Sequence, residues 1–153
     1  MTELQQIISR TKGKDPKVSL LSLLIKTFSL ALKQFPRMNS TYNLNEPFNF
    51  KTHFIHNILF PIYRDNGMSF NIIQNTDNLN IIQIESTLNS MQKDSLNVGD
   101  VSSATICVSH IGSLGAIALN PLIYGEVSCH ASIGTLRDIP AYESGQLIKR
   151  QVV

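Results

Sequence analysis

Apolar and polar positions change period several times along this chain, and each change marks an element. From Val18 to Phe35 the residues are mostly apolar. Ser22, Lys26, Ser29 and Lys33 fall at i, i+4, i+7 and i+11, one narrow polar stripe on an otherwise apolar cylinder. That pattern predicts a helix buried on most sides and stopped by Pro36. Ahead of it, Met1 to Arg10 carries Leu4, Ile7 and Ile8 on one side and predicts a short amphipathic helix, ended by the Lys, Gly and Pro residues of Thr11–Pro16. Arg37 to Pro47 reads as a polar connection.

Phe48 to Ile62 switches to period two. Phe48, Phe50, Phe54, Ile58, Phe60 and Ile62 share one face, and Asn49, Lys51, His53 and Asn57 the other, predicting one long strand or two joined by a bend. Arg64-Asp65-Asn66-Gly67 is a hairpin turn, after which Met68, Phe70 and Ile72 are expected to continue the same apolar face. Pro61 suits an edge or a bulge, because it cannot donate to a ladder. Asp77 or Asn78 is expected to cap a helix carrying Ile81, Ile84, Leu88 and Met91 at helical spacing. A polar link, Lys93 to Asp100, leads to Thr105-Ile106-Cys107-Val108-Ser109-His110-Ile111-Gly112-Ser113-Leu114-Gly115, an apolar strand that breaks into a glycine-punctuated turn. Ile133–Ile139 and Leu147–Val153, with Glu143-Ser144-Gly145 between them, predict a final hairpin. Strands and helices alternate irregularly, so the expected class is α/β or α+β, a mixed sheet packed with helices.

Length adds that 153 residues make one domain with a real core. With 16% charged residues, a net charge of +2 and no basic cluster, nothing suggests a nucleic-acid partner. Lys26 and Lys33 interrupt the longest apolar stretch, which is shorter than a membrane span, so no membrane partner is expected. Cys107 and Cys129 sit in apolar surroundings without a C-x-x-C partner and read as buried thiols. Met1 to Arg10 has neither the apolar core of a secretory signal nor the arginines of a mitochondrial presequence.

Alternation places Thr105, Cys107 and Ser109 on one strand face and Ile106, Val108 and His110 on the other. Ser109 therefore presents a hydroxyl where regular backbone ends, and Gly112 and Gly115 allow a structural turn beside it. Three pairs carry metal-ligand types: His53 with His56, Cys107 with His110, and Cys129 with His130. On a strand, residues one or three apart point to opposite faces, so none of these pairs converges and no metal site is expected. The same argument removes a Ser109–His110 or Cys129–His130 dyad, and a base for Ser109 must come from elsewhere. Gly112-x-x-Gly115 lacks the Lys-Ser/Thr of a phosphate loop. Glu126 and Asp100 are lone carboxylates of the kind usually solvated.

Taken in order, the motifs resemble the catalytic domain of the 2-oxoacid dehydrogenase acyltransferases, the branched-chain dihydrolipoamide acyltransferases in particular. Met1-Thr2-Glu3-Leu4, Leu30-Ala31-Leu32-Lys33-Gln34-Phe35-Pro36 followed by Asn39, His56-Asn57-Ile58 and Asn66-Gly67-Met68 match in sequence order. So do Val108 to Gly115, Pro121, Glu126-Val127 and Ile139-Pro140. The resemblance implies a chloramphenicol-acetyltransferase-like fold spanning 1–153 as one partial domain, without the lipoyl and peripheral-subunit-binding domains. It implies coenzyme A and a lipoyl group as substrates, with no lipoylation site here and no metal. An acyl group would pass between the two thiols in a channel at a trimer interface, Ser109 stabilising the oxyanion. A homotrimer or related acyltransferase subunits, within a decarboxylating dehydrogenase complex, are the implied partners. The mitochondrial matrix is the implied compartment for the branched-chain members.

The departures matter too. The family's general base lies in a His-x-x-x-Asp-Gly motif, and none occurs in these residues. Ser103-Ala104 and Gly115-Ala116 stand where the family has Gly-Gly pairs, His110 where it has Asn and Asn71 where it has Pro, and the segment at Gly125-Glu126-Val127 is shortened. The expectation is an acyltransferase domain with weak or absent activity. The alternatives are a non-catalytic interaction subunit and a non-functional remnant.

Overall fold

Helices α1 (Leu20–Gln34) and α2 (Ile81–Lys93) pack on one face of a four-stranded sheet built from β3 (Ile58–Arg64), β4 (Gly67–Ile73), β5 (Ile106–His110) and β6 (His130–Ile133). The structure is a computed structural model that describes residues 9, 18–42, 45–46, 49–64, 67–93 and 101–152. The helix expected at Met1–Arg10 lies outside them, Ser9 excepted, as do most of the Lys93–Asp100 link and the tip of the Arg64–Gly67 turn. Two further sheets have two strands each: β1 (Ser40–Tyr42) with β2 (Phe50–Thr52), and β7 (Arg137–Glu143) with β8 (Gln146–Val152).

Strand order is β4-β3-β5-β6, with β3 antiparallel to β4 and parallel to β5, and β5 parallel to β6. A parallel strand between two neighbours is covered on both faces, which is why Ile106, Cys107, Val108 and Ser109 are all buried. Ile25, Leu32, Ile84 and Leu88 of the helices meet Ile58, Phe60, Ile73, Ile106, Val108 and Ile133 in the main core. Leu59, Ala104, Cys107 and Val127 form a second cluster on the opposite face, with Phe70, Ile72 and Tyr124 packed against it.

The turn between β3 and β4 pairs Arg64 with Gly67, so Ile58 faces Ile73, Leu59 faces Ile72 and Pro61 faces Phe70. Phe70 and Ile72 therefore lie on the face of Leu59, against the expectation that they continue the face of Ile58 and Phe60. A pairing register one residue different reverses every side chain of a strand. Pro61 is tolerated because β3 pairs with β5 only over Ile58 and Leu59. The period-two run from Phe48 is two strands in separate sheets, and Phe50 and Phe54 are exposed, not inward. Ile133 belongs to β6 rather than to the final hairpin, which turns through Ser144 and Gly145, both at positive φ.

The polar stripe of α1 points into the protein from Ser22 to Ser29, and Lys33 at its end is exposed. Ser22 is fully buried, Lys26 Nζ donates to the Leu79 carbonyl at 2.6 Å, and Ser29 Oγ meets His56 Nδ1 at 2.9 Å. Ser19 caps α1, its Oγ accepting from the Ser22 amide at 3.2 Å. Helix α2 is capped by Asn80 rather than by Asp77 or Asn78. Asn80 Oδ1 accepts from the Gln83 amide at 2.9 Å and Gln83 Oε1 from the Asn80 amide at 2.8 Å, a reciprocal capping box that satisfies two amides at once.

Candidate active site

β5 fixes Ser109 at its C-terminal end, where the strand passes through Ile111 into the single turn Gly112–Leu114. Gly115 ends that turn at φ +73, a conformation glycine adopts without strain. Gly112 serves a different need. A Cβ there would lie 2.6 Å from the Gly134 carbonyl oxygen, and one on Gly134 would lie 2.5 Å from that of Ile117. Two glycine backbones thus let the turn after β5 press against the exit of β6, and the hydrogen bonds Ile111 N to Ile133 O and Thr135 N to Ala116 O hold them there at 2.9 and 2.8 Å.

Parallel pairing sets Cys107 opposite His130 and Ser109 opposite Ser132, all on one face of the sheet. His130 leans across this face until its Nε2 lies 2.6 Å from Ser109 Oγ. Its Nδ1 stands 3.3 Å from the Leu122 carbonyl oxygen, and the Tyr124 ring lies 6.2 Å away between His130 and Phe70. Ser109 is fully buried and His130 half-buried. Beneath them, burial pushes the Cys107 thiol up to about 12, the hydrogen bond between it and Ser109 lowers it and nearby Cys129 adds to the rise. Such a thiol stays protonated and inert. Burial also raises the Cys129 thiol and the Tyr124 phenol.

The sequence places no base beside Ser109 because it compares only residues close in the chain. His130 is 21 positions away and reaches Ser109 through the pairing of β5 with β6. The alternation His130-Ala131-Ser132-Ile133, a short strand pattern that opens on the histidine, was the available signal. The remaining histidines disperse, His53 and His56 from the irregular segment between β2 and β3 rather than from a strand. His53 Nε2 meets Thr41 Oγ1 at 2.9 Å, His56 meets Ser29, and His110 projects to the helical face. There His110, with its pKa lowered by burial, borders a recess of about 860 Å³ that Glu85, Tyr63 and Ser113 also line, on the side of the sheet away from Ser109. Among the described residues no three His, Cys, Asp or Glu side chains gather to hold a metal ion, and no helix is long and apolar enough to cross a membrane.

A mixed sheet with helices on one face, and a serine delivered to a glycine turn at the end of its central strand, define a class of protein that comparison with known families identifies. The chain belongs to the family described as 2-oxoacid dehydrogenases acyltransferase (catalytic domain), whose model matches residues 1–153. It is 30% identical to the dihydrolipoyllysine-residue acetyltransferase component of the pyruvate dehydrogenase complex of Mycoplasma capricolum, over 94% of this chain and 35% of that protein. It is 27% identical to the mitochondrial lipoamide acyltransferase component of the branched-chain alpha-keto acid dehydrogenase complex of Bos taurus, over 100% of this chain and 33% of that one. The chain thus spans about a third of the length of these relatives. Among solved structures, the dihydrolipoamide acetyltransferase of Azotobacter vinelandii superposes with a TM-score of 0.85 at 18% identity, covering 98% of this chain and 65% of that chain. A cubic core of the pyruvate dehydrogenase multienzyme complex gives 0.82 at 18% identity, covering 98% and 63%. The fold is that of dihydrolipoamide acetyltransferase catalytic cores.

Proposed function

We propose that this chain takes part in acyl transfer between the thiol of a lipoyl group and coenzyme A, and that Ser109 donates a hydrogen bond to the tetrahedral oxyanion. The observation that carries this reading is the position of Ser109: a fully buried hydroxyl one residue from the end of β5, on backbone paired to Ser132 of β6, cannot drift as negative charge develops. Gly112 and Gly115 are the structural turn that fixes its surroundings. The reading takes the acyl group to be branched-chain, on local resemblance. It takes the partners to be further copies or related acyltransferase subunits of a decarboxylating complex, mitochondrial where the relatives are. With no His-x-x-x-Asp-Gly among these residues, transfer by this chain is expected to be slow beside that of a complete site.

The test measures transfer from isobutyryl-CoA and from acetyl-CoA to dihydrolipoamide. Ser109→Ala should lower kcat by about 10²- to 10³-fold, the usual cost of one oxyanion donor. Turnover that is equal with and without the hydroxyl overturns the role of Ser109, and a preference for acetyl overturns the branched-chain reading. The complete burial of Ser109 favours a second reading, a non-catalytic subunit that joins an acyltransferase core. Co-purification with such a core, combined with no effect of Ser109→Ala on its turnover, would support that alternative.

A further inference from the structure

Ser109 and His130 form a pair that the proposed oxyanion role leaves unexplained. A carbonyl oxygen only accepts, so the contact of His130 Nδ1 with Leu122 O requires a proton on Nδ1. In the neutral ring Nε2 is then the acceptor, and at 2.6 Å the hydrogen between it and Ser109 belongs to the hydroxyl. This is the arrangement of an activated hydroxyl: an oxygen within reach of a basic nitrogen, and the ring held in the right tautomer by a third group. It also conflicts with a lone serine as oxyanion donor, since the hydroxyl's one hydrogen is already committed to the imidazole.

We infer that His130 is the proton-accepting partner of Ser109 in acyl transfer, a base supplied by this chain itself; the inference rests on the acyl-transfer reading above. As the attacking thiol sulfur bonds to the thioester carbonyl carbon, its proton passes to Ser109 Oγ and the hydroxyl proton of Ser109 passes to Nε2. The carbonyl oxygen becomes an oxyanion. Ser109, now accepting from the Nε2–H of an imidazolium, turns its new hydrogen to that oxyanion. Collapse breaks the bond from carbon to the leaving sulfur, which takes a proton back along the same path, so His130 ends neutral and nothing is oxidised or reduced. One pair thereby serves successively as base and as oxyanion donor. His130 acts through Ser109 and positions it.

The test uses the full 153-residue chain with isobutyryl-CoA and dihydrolipoamide, comparing wild type, Ser109→Ala, His130→Gln and the double variant. Ser109 is fully buried in the folded chain, so a local opening admits the thioester, and the four proteins are compared under one set of conditions. His130→Gln should lower kcat by about 10²- to 10⁴-fold, leave KM for the acyl-CoA within about twofold, and combine with Ser109→Ala without further loss. Retained kcat in His130→Gln, with loss in Ser109→Ala, overturns the role of His130 and leaves that of Ser109 standing. No turnover by the wild-type chain also overturns it; Ser109 is then tested separately by mixing the chain with a related acyltransferase core. A second measurement is independent of turnover. The side-chain nitrogen spectrum of His130 should show the Nδ1–H tautomer and shift in Ser109→Ala, whereas the Nε2–H tautomer overturns the inference.

Discussion

At the scale of single residues, the turn after β5 separates two uses of glycine that the sequence displays alike. Gly115 needs its conformation and has open space where a Cβ would go, while Gly112 and Gly134 have ordinary conformations and no space. Gly115→Ala should cost about 1 kcal/mol of stability through backbone strain. Gly134→Ala must push apart two backbones and should cost about 1–3 kcal/mol. Urea unfolding of the two variants orders them, and equal midpoints would contradict the close approach. The glycine turn that follows Ser109 was legible in the sequence, because a strand broken by two closely spaced glycines is a local pattern. Gly134 and His130 were not, since each matters only for what a distant strand brings against it. Ala104, which the resemblance sets against a glycine, packs inside the second cluster.

At the scale of elements, α1 and α2 are tied by more than apolar contact. The Glu85 carboxylate of α2, nearly buried, accepts from both the Ser19 amide at 2.8 Å and the Ser19 hydroxyl at 2.6 Å, so one side chain of α2 completes the cap of α1. Glu85→Ala leaves those donors without their acceptor and should destabilise the chain by about 1–3 kcal/mol. Its unfolding midpoint should therefore fall well below that of a surface control such as Glu143→Ala, whose pairing with Arg150 is exposed and contributes little. A midpoint matching that control would show that the cap does not depend on Glu85. Both helices were legible from their periods, as was the final hairpin from its turn residues. What the period could not give was the destination of the polar residues. Ser22, Lys26 and Ser29 read only as a polar stripe until Ser22 is seen to donate to the Ser19 carbonyl, Lys26 to those of Thr76, Asp77 and Leu79, and Ser29 to meet the ring of His56. β1 and β6, of three and four residues, are too short to leave a periodic signal.

At the scale of the whole molecule, the histidines make stability depend on pH. Burial lowers the pKa of His56, aided by Lys33 and Lys26 and opposed by Asp77; burial and then Lys51 lower that of His53, and burial lowers that of His110. Each therefore holds its proton less tightly folded than unfolded, where the ordinary value is 6.5. Below that value the unfolded chain binds more protons, so the stability these groups confer is complete above it. It drains away as pH falls toward their lowered folded values. The three sit in different places: His56 under α1, His53 against β1 and His110 beside the recess between the sheet and the helices. Acid consequently loosens the packing of both helices and the small β1–β2 sheet together, not one corner of the molecule. The urea midpoint should fall between about pH 7.5 and about pH 5.5, and His56→Gln should flatten that dependence even if it lowers the midpoint at both ends. A midpoint that is level or rises across this interval would mean that the buried imidazoles are charged in the folded chain. The hydrogen bond between Ser29 and His56 would then have to run with the imidazole as donor.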